Sequence, residues 1–222
     1  MYVKHCPVSC PERKQKVSRH LQYRGVTDLV WITEFPKDDP YVVWFHNKLK
    51  ISCNIAFTSG LVKTLESLRH FVQSDKKSAF FVDDDVVLIK DWRKHPIPNL
   101  PFVNMSVGVN FGILPDGNPR MIGNNGGCEM TYITREFAKL ILDNVDVRQT
   151  IDIVIHALVN YSKFPLVCVP VAQQTSLLEP KTSSLGNSGI LNWIDFVNNF
   201  KPTGVRYEDL RNESGFFTRN DA

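Results

Sequence analysis

Three consecutive carboxylates, Asp83, Asp84 and Asp85, close the apolar run Ser78-Ala79-Phe80-Phe81-Val82 and are followed by a second one, Val86-Val87-Leu88. Like charges this close disfavour one another's ionisation, so the triplet needs a cation or a web of donors beside it. A divalent metal is the simplest cation to supply. All-oxygen ligation suits Mg²⁺ or Mn²⁺, and Mg²⁺ is usually held by one or two carboxylates with phosphate oxygens completing its shell. The triplet therefore points toward a phosphorylated ligand. The plain alternative is a strand running into a solvated acidic turn.

Other residues could join such a site. Arg13 follows a short first strand and could pair with a phosphate or a base, or simply begin a surface helix. Thr33 and Glu34 end a second strand on the same side. In Asn124-Asn125-Gly126-Gly127 the glycines let backbone approach a ligand closely or adopt positive φ, and the amides beside them can bind hydroxyls. Asp152 lies in the first turn of a helix, where the helix dipole favours negative charge, so a structural role competes with a chemical one. His156 is four residues further on the same face, at a spacing used by metal pairs, but no further ligand lies nearby in sequence.

The elements that must position these groups are those of an α/β chain. Tyr2 to Ser9 reads as a strand, 12 to 24 as a helix ended by Gly25, and Asp28 to Phe35 as a second strand. That β-α-β order predicts a parallel sheet with ligands at the carboxyl ends of its strands. The acidic triplet ends a buried strand of that sheet. A long helix starts after Asn54, with Leu61, Leu65, Leu68 and Val72 on one stripe and Lys63, Glu66 and Arg69 on other faces. Tyr41 to Lys50 is mixed. Phe102 to Phe111 reads as a strand whose Asn104, Ser106, Gly108 and Asn110 form a polar face, lining a site or facing water at an edge. Pro115-Asp116-Gly117-Asn118-Pro119 predicts a hairpin turn. A short strand then meets Thr134, the N-cap of a helix over Arg135 to Leu142. Leu166 to Ala172 gives a last strand, Thr182 to Gly189 a mobile segment, Ile190 to Phe200 a terminal helix, and residues beyond Lys201 a polar tail.

Composition bounds the rest. The 222 residues are 43% apolar and 22% charged, enough for one large globular domain over 1–222. A formal charge of +3 suits an anionic ligand, but no dense basic block argues for nucleic acid. Five scattered cysteines read as reduced thiols in a cytosol-like compartment. No apolar run reaches ~18 residues, so neither a signal peptide nor a membrane span is expected.

In this order, Ser9-Cys10-Pro11-Glu12-Arg13, Val82-Asp83-Asp84-Asp85-Val86 and Gly126-Gly127 through Tyr132-Ile133-Thr134 resemble the GT-A glycosyltransferases, and within them the lipopolysaccharide glycosyltransferase family 25 pattern. The chain also resembles the amino-terminal domain of the capsid glycosyltransferases of chlorella viruses, and the likeness spans about residues 3 to 180. The resemblance implies a GT-A fold, an α/β domain with a mixed, mostly parallel central sheet flanked by helices. It implies transfer of a sugar, rhamnosyl or hexosyl, from a nucleotide-diphosphate donor such as a UDP-sugar to a glycan acceptor on a capsid glycoprotein, in the cytoplasm of a host. Mn²⁺ or Mg²⁺ would be held by Asp83 and Asp85, with Asp83 also reaching the ribose or a metal-bound water. Ser9, Pro11, Arg13, Thr33 and Asp84 would face the donor, with Asp84 toward the sugar, and Asn125, Gly126 and Gly127 would face the acceptor. Asp152 would be the base of an inverting transfer, with Glu129 as the alternative. No histidine follows His156, so the carboxy-terminal metal ligand of many GT-A enzymes has no counterpart here. Two other readings compete. Asp83-Asp84-Asp85-Val86-Val87 also fits the nucleophile motif of haloacid-dehalogenase phosphatases, although it lies far from the start and lacks the later acidic pair. A non-catalytic glycan-binding domain is the second.

Overall fold

The computed structural model describes residues 1–4, 12–106, 111–113, 119–121, 129–174 and 193–217. In chain order these form β1 (Tyr2–Lys4), α1 (Arg13–Tyr23), β2 (Val30–Ile32), α2 (Pro40–Lys48), α3 (Ile55–Gln73), β3 (Ser78–Asp83), β4 (Val86–Leu88) and β5 (Phe102–Ser106). Then follow β6 (Phe111–Ile113), β7 (Pro119–Met121), β8 (Met130–Thr134), α4 (Arg135–Leu142), α5 (Ile151–Tyr161), β9 (Cys168–Gln174), α6 (Trp193–Asn198) and α7 (Tyr207–Ser214). Among the described residues no helix is long and apolar enough to cross a membrane.

Seven strands make one mixed sheet in the order β2-β1-β3-β8-β5-β9-β4, flanked by helices. β1, β2 and β3 are parallel; β8 runs against β3 and β5; β9 is parallel to β5; β4 runs against β9. The strands directed like β3 are therefore β1, β2, β5 and β9. The predicted hairpin forms between β6 and β7, with Phe111 opposite Met121.

The sheet cannot be flat. Two residues join β3 to β4, so their facing ends lie at most about 11 Å apart, whereas four strand spacings would separate them by about 19 Å. The register shift between the Asn104–Cys168 and Ser106–Ala172 pairs is an irregularity of the kind that bends a strand, and the end of β9 beyond it pairs with β4. Leu88 N–H then donates to His20 Nε2 at 2.8 Å, fixing β4 against α1.

Alternation along β3 divides the core. Phe81 packs with Leu61, Leu65 and Leu68 of α3, whereas Val82 packs with Val17 and Leu21 of α1. Tyr2 faces Phe81 across the β1–β3 ladder, so Lys4 and Asp83, two residues on, share the α3 side of the sheet at its carboxyl edge.

Several sequence expectations change. The second strand is only Val30–Ile32, and Phe35 already has φ 66°. The mixed stretch after Pro36 holds α2, because Asp39 accepts from the N–H groups of Tyr41 and Val42 and Pro40 preorganises the first turn. β5 is a central strand with Asn104 and Ser106 buried, which removes the water-facing edge alternative for these two; Gly108 and Asn110 lie outside the described residues. Lys63 and Glu66 of α3, off its apolar stripe, are nevertheless buried, because α2 and α4 also pack on that helix. Nor is the chain beyond Lys201 a loose polar tail. It forms α7, whose Tyr207 Oη donates to Glu66 at 2.9 Å and whose Arg211 Nε lies 2.7 Å from the same carboxylate. Cys53 is a free thiol; Cys6, Cys10, Cys128 and the segment Thr182 to Gly189 lie outside the described residues.

Two histidines make stability depend on pH. His20 accepts a backbone hydrogen bond and is therefore neutral, and burial, then Arg24, lowers its pKa. Burial lowers His156 to about 4. A folded pKa below the unfolded one gives stability that is present above about pH 6.5 and lost as pH falls. Between pH 6.5 and 5 the loss from His156 alone is about 2 kcal/mol. Urea midpoints across that range measure it, and a His156→Gln variant should flatten the profile; an equally steep profile in the variant would exclude this histidine as the source.

Candidate functional site

The site is assembled where strands of both directions meet. β1 and β3 deliver their last residues, Lys4 and Asp83, side by side, and Lys4 Nζ lies 2.7 Å from Asp83 Oδ1. β8 arrives reversed, so its beginning meets the same edge: Asp83 N–H donates to the Glu129 carbonyl at 2.9 Å. β5 adds its end, with Ser106 Oγ accepting from Met130 N–H at 3.0 Å and Ser106 N–H donating to Asn104 Oδ1 at 2.9 Å.

Asp84 and Asp85 form the two-residue link to β4, and both are buried. Arg13, the first residue of α1, places Nη1 3.1 Å from Asp84 Oδ1. Two of the three carboxylates thus have a basic group of the chain beside them. Arg13 and Asp84, expected to face a donor separately, are paired with each other.

Glu129 has the clearest electrostatic signature. Burial raises its pKa and the nearby Asp83 adds to the rise, while a hydrogen bond with Ser106 and the charge of Lys4 oppose it. Its buried Oε2 has no hydrogen-bond partner among the described residues. A buried carboxyl with a shifted pKa at strand ends is a candidate acid or base.

Asp152 stands in the first turn of α5, while Thr150 is the N-cap residue and makes no side-chain cap hydrogen bond. Because α5 feeds β9, the usual α/β connection turns its beginning toward the carboxyl edge. His156 is no ligand beside it. It is buried beneath β5, its Nε2 3.4 Å from Asn104 Nδ2 and its ring edge-on to Phe102.

Thr33 follows β2, two strand positions or about 10 Å from Asp83, and its N–H donates to Glu34 Oε2 at 3.1 Å. Ser9, Pro11, Asn125, Gly126 and Gly127 lie outside the described residues. Lys4 was the residue that sequence reasoning missed. A charge directly after Tyr2-Val3 was its only local signal.

For a divalent cation the donor set fits in kind. Among the described residues no group of three or more His, Cys, Asp and Glu side chains gathers as a metal centre. Mg²⁺ needs only one or two carboxylates when phosphate oxygens and water complete the shell, and Asp83 and Asp85 on one turn offer that hard-oxygen set. No protein-family model and no curated protein matches this chain.

Proposed function

We propose that this protein is a metal-dependent glycosyltransferase of the GT-A type, moving a sugar from a nucleotide-diphosphate donor, a UDP-sugar, to a glycan acceptor. The observation that carries this reading is the carboxylate turn at the sheet's carboxyl edge with Lys4 and Arg13 held against it. A purely solvated acidic turn would not bury Asp84 and Asp85 or draw two basic groups from separate elements.

The chemistry follows from charge. Sugar transfer leaves a diphosphate, and a bound Mn²⁺ or Mg²⁺ would neutralise the charge that builds on it. Asp83 and Asp85 would hold that ion. Lys4 and Arg13 add fixed positive charge at the same edge, and Thr33 would border the donor from the end of β2. A carboxylate must accept the proton of the attacking hydroxyl if the configuration inverts. Asp152 is assigned that role. Glu129 is the alternative, since its raised pKa lies nearer the range in which a general base works best.

The test is a thermal-shift series with UDP, with and without Mn²⁺ and with excess chelator. UDP with Mn²⁺ should stabilise the protein by about 2.7 kcal/mol at a hundredfold excess over its dissociation constant. Equal stabilisation in chelator would refute the metal-bridged mode.

A further inference from the structure

We propose that α1 and the segment after β4 form a basic face that binds anionic membrane lipid. This does not rest on the sugar-transfer reading. The residues of α1, RKQKVSRHLQY, include four Lys or Arg and no acid. Lys16 and Arg19 are exposed opposite the buried Val17 and Leu21, whereas Lys14 turns toward β2, its Nζ 5.3 Å from the Trp31 ring centroid.

The second part of the face is brought alongside by two contacts. Leu88 is bonded to His20 in the middle of α1. The Arg93 guanidinium lies over Gly25, just past the end of α1, where the absence of a Cβ leaves it room. Lys90, Arg93 and Lys94 are exposed on that segment. Five basic side chains, Lys16, Arg19, Lys90, Arg93 and Lys94, thus collect on one surface of a chain whose formal net charge is only +3. Among the described residues, the acids bordering this surface include Glu12, exposed before α1, Asp28, exposed three residues past Gly25, and Asp91, whose carboxylate is 2.9 Å from Arg93 Nε.

Charge alone would suit any polyanion. The apolar groups decide for a bilayer: Tyr23 is 85% exposed at the end of α1 and Ile89 is 40% exposed beside Lys90. Interfacial surfaces combine Lys and Arg with protruding aromatic and aliphatic groups that enter the headgroup boundary. Arg24 Cζ lies over one face of the Tyr23 ring, 5.9 Å from its centroid, and Ile89 offers bases no stacking surface.

The experiment is flotation of the purified protein with phosphatidylcholine vesicles, with and without phosphatidylserine, at low and physiological salt, alongside single-stranded RNA. The protein should float only with phosphatidylserine, and more weakly as salt rises. Lys16→Gln with Arg19→Gln should weaken binding about 25-fold, about fivefold for each charge near the surface. Tyr23→Ser should weaken it while leaving the salt dependence unchanged. Matched melting temperatures for these surface variants exclude misfolding. No flotation, equal flotation with phosphatidylcholine alone, undiminished binding by the variants, or tighter binding to RNA than to vesicles would each overturn the proposal.

Discussion

Asp152→Asn should cut sugar transfer by about 100-fold or more while leaving Mn²⁺-dependent UDP binding unchanged. An amide cannot take the acceptor's proton, yet it has nearly the shape of the carboxylate. The structural alternative predicts a different pattern. Thr150, not Asp152, is the N-cap residue of α5, so what Asp152 offers the helix is charge in its first turn. That charge is worth about 0.3–1 kcal/mol. A purely structural Asp152 would therefore lose a little stability and no transfer. Rate, UDP affinity and melting temperature measured on one preparation separate the two. Wild-type transfer by Asp152→Asn would remove it from the mechanism and leave Glu129, already beside Asp83, as the base.

The other large effect is expected far from the chemistry. Glu66→Ala should destabilise the fold by about 3–5 kcal/mol, because removing one member of a buried ion pair leaves the other charge uncompensated. Glu66 lies between Arg211, Arg69 and Tyr207, with Arg69 Nε at 3.0 Å, and both Glu66 and Arg211 are buried. Arg211 also stacks on Phe217, its Cζ 3.6 Å from the ring centroid, so the loss would loosen α7 and the aromatic contacts of Phe217 with Tyr41 and Phe35. Urea denaturation measures the effect. Replacing the buried group together, with Glu66→Leu, Arg211→Met and Tyr207→Phe, should recover much of it, since apolar groups of similar volume carry no desolvation cost and no hydroxyl is left without its acceptor. A loss under about 1 kcal/mol for Glu66→Ala would mean that solvent reaches the pair and screens it.

Where local chemistry was sufficient, the residues alone specified the structure. Thr134 caps α4 as expected, its side chain accepting from Phe137 N–H, because that bond joins residues three apart. Asn54 does the same for α3, and the apolar run from Ala79 forms a strand that ends in Asp83. The candidate site was legible to the same extent: the carboxylates, Arg13 and Thr33 could all be assigned to strand or helix ends. Their partners could not. Lys4 reaches Asp83 and Arg13 reaches Asp84 across separations of more than 70 residues, and no periodicity within either segment encodes such a pairing. The reversal of β8, which puts Glu129 beside Asp83, is likewise a choice of sheet partner. So is the burial of Lys63 and Glu66, placed off the apolar stripe of their helix but enclosed by helices the stripe does not describe. The sequence by itself determined which segments are strands and helices and which of their ends carry charge, because those properties depend on neighbours within a few residues. Tertiary structure decided which charges meet and which are removed from water, because burial and strand register depend on every element that packs against a residue.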